Sequence, residues 1–120
     1  MDRHDDLPDA KHVSWDGIPV ERVAEGIERQ VAWGERLMLC RVRFAPHVAV
    51  GVHTHLHEQM SVVQKGSARF TVGDQSRVLS AGEAIIFPSQ VAHGVTMLDE
   101  EVIILDVFTP VREDFLPRAT

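Results

Sequence analysis

A chain of 120 residues carrying one cysteine, 12 Lys and Arg and 18 Asp and Glu has the length of a single domain with a single core. Its 44% hydrophobic and 25% charged content excludes a disordered or fibrous chain. A net charge of −6 without a basic stripe excludes nucleic acid as the main partner, because neutralising phosphates needs clustered Lys and Arg.

Residues 1–13 are polar and acidic around Pro8, and they are expected to form a mobile N-terminal tail with His4 and His12 solvated. The tail lacks the apolar run of a signal peptide, and no segment reaches a bilayer-spanning length, so no membrane partner is expected. Cys40, alone in the chain, cannot form an internal disulfide. A reducing, cytoplasmic location follows as the expectation.

The domain is expected to occupy residues 14–120, entered through a turn at SWDGIP. Between Val20 and Val31 the apolar positions Val20, Val23, Ala24, Ile27 and Val31 recur near a 3.6 period, which by itself predicts a short helix. Gly26 and Gly34 weaken that helix, and a strand over about 25–33 is the alternative. From there on the pattern is one of short strands. In RLMLCRVRF, Met38, Cys40, Val42 and Phe44 alternate with more polar neighbours, so Cys40 reads as a packed core thiol. MSVVQ, ARFTV, SRVLS, AIIF, VAHGVTML and EVIILDVF follow, separated by Lys65-Gly66, Gly73-Asp74, Ala81-Gly82, Pro88 and Asp99-Glu100. The fold class is therefore all-β, a sandwich or small barrel.

Within this series, GVHTHLHEQMSVVQKG places three histidines in five positions. On a strand, residues two apart share a face, so His53 and His55 can aim both rings at one point. In a straight strand Gln59 would lie about 20 Å from His53, against metal bonds of about 2.1 Å. A shared site thus requires the chain to reverse through Leu56, His57 and Glu58. His57 in that turn is expected to face solvent or to support a ligand, and His47 carries no comparable signal.

This spacing resembles motif one of the cupin superfamily: HxH, a Glu or its substitute, and a closing glycine, here His53, His55, Gln59 and Gly66. Motif two is matched by GEAIIFPSQVAH, with Gly82, Pro88 and His93, except that Gln90 stands where the motif has its second glycine. The resemblance covers about residues 25–115. It implies a jelly-roll barrel of the single-domain cupin type and a strand at 25–33, against the helical period. It also implies one divalent metal ion held by His53, His55, Gln59 and His93. Three imidazoles and one oxygen donor suit Zn, Ni, Co, Mn or Fe. Gln59 is neutral where cupins commonly carry glutamate, which leaves more of the ion's charge available to polarise a bound oxygen.

The last strand carries Asp106 in an apolar run, with Arg112 just beyond Pro110. A carboxylate so placed is paired or functional, and a tie between Asp106 and Arg112 is the structural possibility. Taken with HxHxHEQ and PSQVAHG, the wording DVFTPVREDF is similar to the pectin-degradation cupins called KdgF. That likeness implies a small-molecule substrate, a 4,5-unsaturated uronate opened to a linear 4-deoxy-5-keto sugar acid. It assigns catalysis to Asp106 and Arg112, and substrate binding to Phe108 and Arg112. An iron oxygenase with three histidine ligands and a non-catalytic small-molecule-binding module are the alternatives, since fold does not fix function. Cupins of this kind usually pair through strand edges, which implies a homodimer. Trp15, Ile18 and Trp33 are candidates for that contact or for ordinary packing.

Overall fold

The architecture is given by a computed structural model that describes residues 9–117. Most of the expected tail, including His4, lies outside the described residues. Of its remainder, 9–13 are exposed, and the Lys11 ammonium sits 5.2 Å from the Trp33 ring.

Ten strands and two single-turn 3-10 segments make up the regular structure of the described residues. The strands are β1 (Glu21–Ala24), β2 (Ile27–Trp33), β3 (Met38–Phe44), β4 (Ala49–His53), β5 (Glu58–Lys65), β6 (Ser67–Val72), β7 (Gln75–Ser80), β8 (Ala84–Phe87), β9 (His93–Met97) and β10 (Val102–Thr109). A 3-10 turn at Trp15–Gly17 leads in, where the SWDGIP turn is expected, and another at Glu113–Phe115 follows β10. No helix among the described residues is long and apolar enough to cross a membrane.

All pairings are antiparallel. One sheet has the order β1-β2-β3-β10-β5-β8, the other β4-β9-β6-β7, and they close into a cupin jelly roll. The core comes from strict alternation: on β3, Met38, Cys40, Val42 and Phe44 are nearly inaccessible while Leu39, Arg41 and Arg43 face outward. On β10, Ile104 and Phe108 face the same interior. Burial holds the Cys40 thiol well above its ordinary value, up to about 12, with the Asp106 carboxylate adding to the effect. It is therefore an inert core thiol.

The helical period over 20–31 does not become a helix. Val20 and Val23, which a helix would bury, are 59% and 44% exposed. β2 instead makes a seven-residue ladder with β3, and β1 turns back along it through Glu25-Gly26. Gly26 has φ +79, and a Cβ there would lie 2.7 Å from Val48 Cγ2, so the turn admits only glycine. The strand expected over 25–33 is present as β2, starting two residues later after the Glu25-Gly26 turn, and the helical period over 20–31 runs across both arms of a hairpin.

Gly66, the closing glycine of the first motif, has φ +80, and a Cβ would meet the Glu101 carbonyl at 2.6 Å. Gln90 adopts φ +71, the left-handed conformation that suits the glycine of the second motif. The turn therefore survives the substitution at a conformational cost. Gln90→Gly is expected to stabilise the protein by about 1 kcal/mol, raising Tm by a few degrees. A fall in the thermal midpoint would instead show that the Gln90 side chain outweighs its backbone strain.

Candidate metal centre and cavity

His53 ends β4 directly opposite His93, the first residue of β9. His55 lies beyond the strand, in the reversal 54–57, so the two histidines do not share one strand face as expected. The reversal also ends one residue earlier, since Glu58 already belongs to β5. His55 is brought in by other ties: its carbonyl accepts the Gln90 backbone N–H at 2.9 Å, and Ser89 Oγ donates to the next carbonyl, that of Leu56. The motif-two loop thus pins the motif-one loop. One ligand-capable atom from each of His53, His55 and His93 falls within 4.8 Å of the others.

The backbone decides how these rings are used. Each donates its Nδ1 proton to a main-chain carbonyl: His53 to Gly51 at 2.9 Å, His55 to His57 at 3.0 Å, and His93 to Val91 at 2.9 Å. A carbonyl only accepts, so Nδ1 carries the proton and the Nε2 lone pair of a neutral ring points inward. Burial lowers the pKa of His55 and of His93, which keeps both neutral near pH 7. His93 is 4% exposed and stacks on Phe87 at 4.0 Å.

Gln59 supplies the fourth group. It lies on β5 in the cross-strand row Met38–Phe108–Gln59–Phe87 and is buried. Its Nε2 donates to Ser61 Oγ at 2.9 Å and to Asp106 Oδ1 at 3.3 Å, which fixes the amide orientation. Oε1 consequently faces His55 Nε2 at 3.0 Å and His93 Nε2 at 3.2 Å. With both rings neutral, that is acceptor against acceptor. A cation at the focus turns this repulsion into ligation, so the donor set fits a divalent metal ion.

Asp106 occupies the next row, Cys40–Asp106–Ser61–Ile85. Ser61 Oγ donates to its Oδ1 at 2.6 Å. Its remaining exposure is to an interior cavity of about 390 Å³ that it lines with His53, Gln59, His93, Phe108 and Arg112. Burial raises its pKa from 3.8 to about 6, with hydrogen bonds from Ser61 and Gln59 and the Arg112 charge acting the other way.

The possible tie between Asp106 and Arg112 is not formed. Arg112 instead grips Asp114 through Nη2 at 2.8 Å and Nε at 3.3 Å. Its guanidinium carbon sits 5.2 Å from the Phe108 ring centroid and 4.0 Å from that of Phe115. A tight turn after Pro110 makes the near neighbour the easier partner and leaves Asp106 to Ser61 and Gln59. His57 is half-buried, its ring 5.5 Å from that of His55, and it supports the cluster through its carbonyl. Its buried Nδ1 has no hydrogen-bond partner among the described residues.

Three residues at this site escape a reading of the sequence: Ser61, Arg29 and Phe115. Ser61 had a signal, since it lies two residues after Gln59 and therefore on the same face. Arg29 alternates with Val31 but was masked by the helical period. Phe115 reaches the cavity through a 3-10 turn, which has no usable pattern.

Fold and site together define a cupin with a barrel-centred cluster of three histidines and an amide, and residues 40–108 match the cupin domain family. Over 103 residues the chain is 34% identical to the pectin degradation protein KdgF of Dickeya dadantii (strain 3937), covering 84% of this chain and 94% of that relative. KdgF from a Halomonas species superposes with a TM-score of 0.79 at 30% identity, over 82% of this chain and 91% of that one. An RmlC-like cupin from Shewanella frigidimarina NCIMB 400 superposes with a TM-score of 0.83 at 31% identity, over 89% and 97%. The chain belongs to the KdgF family of cupins.

Proposed function

We propose that this protein is a metal-dependent enzyme that opens cyclic 4,5-unsaturated uronates, of the kind released by pectin or alginate breakdown, to linear 4-deoxy-5-keto sugar acids. The observation that carries this reading is one continuous chain of contacts. Asp106 is bound to Ser61 and to the amide of Gln59, whose oxygen faces the histidines, while Arg112 lies over Phe108 on the same cavity.

His53, His55, Gln59 and His93 would hold the ion, which when bound supplies a Lewis acid for sugar oxygens. Arg112 would pair with the substrate carboxylate, drawing on a guanidinium whose partner Asp114 is 59% exposed and displaceable. Phe108 presents a flat apolar wall to the sugar ring.

Asp106 carries the proton. The anomeric hydroxyl loses its proton to the carboxylate as the bond from C1 to the ring oxygen breaks and C1 becomes a carbonyl. The enolate left across C4, C5 and the former ring oxygen takes that proton from Asp106 at C4, and C5 becomes the ketone. Atoms balance as an isomerisation, with no co-reactant. A carboxyl with a pKa raised toward 6 is suited to both accepting and returning a proton near neutrality.

The test follows the conjugated alkene absorbance of an unsaturated uronate. Accelerated loss over the spontaneous rate, abolished by chelation and restored by a divalent ion, is the expected result. No acceleration by loaded protein would overturn the reading, and substrate-dependent oxygen uptake would replace it with oxygenase chemistry.

We further propose that the enzyme is a cytoplasmic homodimer. The buried thiol of Cys40 is consistent with a reducing compartment. On the outer face of the larger sheet, Met60 and Ile86 lie side by side, 39% and 55% exposed, which supports a pairing surface. Trp15 is half-buried and Trp33 is 37% exposed, so the Trp15, Ile18 and Trp33 region is a second candidate. Sedimentation of the purified protein decides between monomer and dimer.

A further inference from the structure

Arg29 points inward from β2. It pairs across the sheet with Val42, which continues through Ile104 to Val63, and those three side chains are 6%, 2% and 1% exposed. A guanidinium does not give up its proton, so a cation in this row needs compensation from its surroundings. Among the described residues the one anion paired with it is Glu21, and the Phe115 ring covers its face. Arg29 Nε and Nη2 reach the same oxygen of that residue, Oε1, at 3.2 and 2.9 Å. The arginine side chain is 11% exposed and the glutamate 56%, so the anion stands at the rim while the cation is inside.

Arg112 repeats the arrangement, at 15% exposure against 59% for Asp114. The two guanidinium carbons sit 3.8 and 4.0 Å from the centroid of the same ring, Phe115, so they can be no farther apart than those two distances combined. Both arginines line the cavity that holds Asp106, His53 and His93. In a chain of net charge −6, two nearly desolvated cations facing one cavity mark a place where an anion is favoured. A carboxylate has lone pairs for two guanidinium forks, which neither rim acid provides to both arginines.

We propose that Arg29 is a second carboxylate-recognising residue, acting with Arg112 on the acid group of the ligand, and that Glu21 is the rim residue the ligand displaces from it. This rests on the sugar-acid reading above and extends it to specificity: the cavity selects an acid over the neutral sugar of the same shape. The ordinary alternative is that the pair of Arg29 and Glu21 only ties the edge strand β1 to β2. The two accounts differ in sign. If the pair is structural, removing either partner weakens the site in the same direction; if Glu21 competes with the ligand, its removal strengthens binding.

Titration calorimetry on the metal-loaded protein, with galacturonate as an unreactive uronate and galactose as its neutral counterpart, separates them. Galacturonate is expected to bind and galactose not. Glu21→Gln should tighten galacturonate about threefold, whereas Arg29→Gln should weaken it about tenfold, with Arg29→Lys between. Shifts in the same direction, no shift in either variant, or absence of uronate binding would overturn the proposal. Glu21 is exposed, so its variant decides the matter even if Arg29→Gln does not fold. Turnover of unsaturated uronate by the unaltered protein is measured alongside: opposed shifts without turnover would remove the proposed reaction and leave the carboxylate clamp standing.

Discussion

His93→Ala is expected to lower metal affinity by more than about a hundredfold and to abolish turnover with it. Residues that merely orient a ligand cost 10- to 100-fold when lost, and His93 offers its own lone pair to the focus. Its position leaves no slack: it is 4% exposed, clamped by Val91, stacked on Phe87 and set opposite His53. Removal also deletes a buried ring from the core side of the barrel. The measurement is thermal denaturation of chelated protein before and after adding a divalent ion. An ion at about 100 times its dissociation constant adds roughly 2.7 kcal/mol to the native state, and the variant should show no such gain at the same concentration. His57→Ala is the matched control. It removes the ring but keeps the carbonyl that holds His55, so its metal response should stay near that of the unaltered protein. Equal responses from all three proteins would dissolve the metal centre.

The second large effect falls on Asp106, and it carries two opposite signs. Asp106→Asn keeps an oxygen to accept from Ser61 and Gln59 but cannot take up and return a proton, so kcat is expected to fall about 10²- to 10⁴-fold. Stability should move the other way. The folded pKa of about 6 lies above the ordinary 3.8, so between those values the native state binds more protons than the unfolded chain. The Asp106 contribution to the stability of the chelated protein therefore declines as pH rises from about 4 to about 6 and levels off above. The lowered pKa values of His55 and His93 act in the opposite sense, so the effect is read as the difference between the unaltered protein and the variant at each pH. The asparagine variant lacks that decline and should be more stable at pH 7 by roughly 1–3 kcal/mol. A gain in stability with kcat intact would leave Asp106 without a catalytic role and would end the proposed proton transfer.

The parts of this architecture that could be read in one dimension are those whose physics is local. Alternation along Met38–Phe44 reports a face because successive side chains on a strand must oppose each other, and the continuous apolar run of Val102–Thr109 marks a strand covered on both sides. Turn chemistry behaves the same way: Gly66 and Gly82 are left-handed in the structure, and so is Gln90, where the motif leads one to expect glycine. The segment 20–31 misleads for a related reason. The apolar positions of an exposed short strand and of the strand it turns into sum by chance to a 3.6 period, and only the ladder to β3 separates them. The proposed ligand set was legible through spacing and motif, yet the means of bringing His55 inward was not, because a loop hydrogen bond from Gln90 has no periodic trace.

What the chain determined by itself was an all-β domain, the four groups at its proposed metal focus, and the presence of Asp106, Phe108 and Arg112 near its end. Folding decided their partners. Asp106 meets Ser61 and Gln59 because β10 and β5 are neighbours, and Arg112 settles on Asp114 because the nearer carboxylate wins. Arg29 enters the cavity only when β2 lies against β3, and Phe115 then stands beside both cations. Side-chain type and face follow from neighbours in the chain, whereas charge pairing depends on separations of a few ångströms between strands tens of residues apart, which closure of the barrel alone sets.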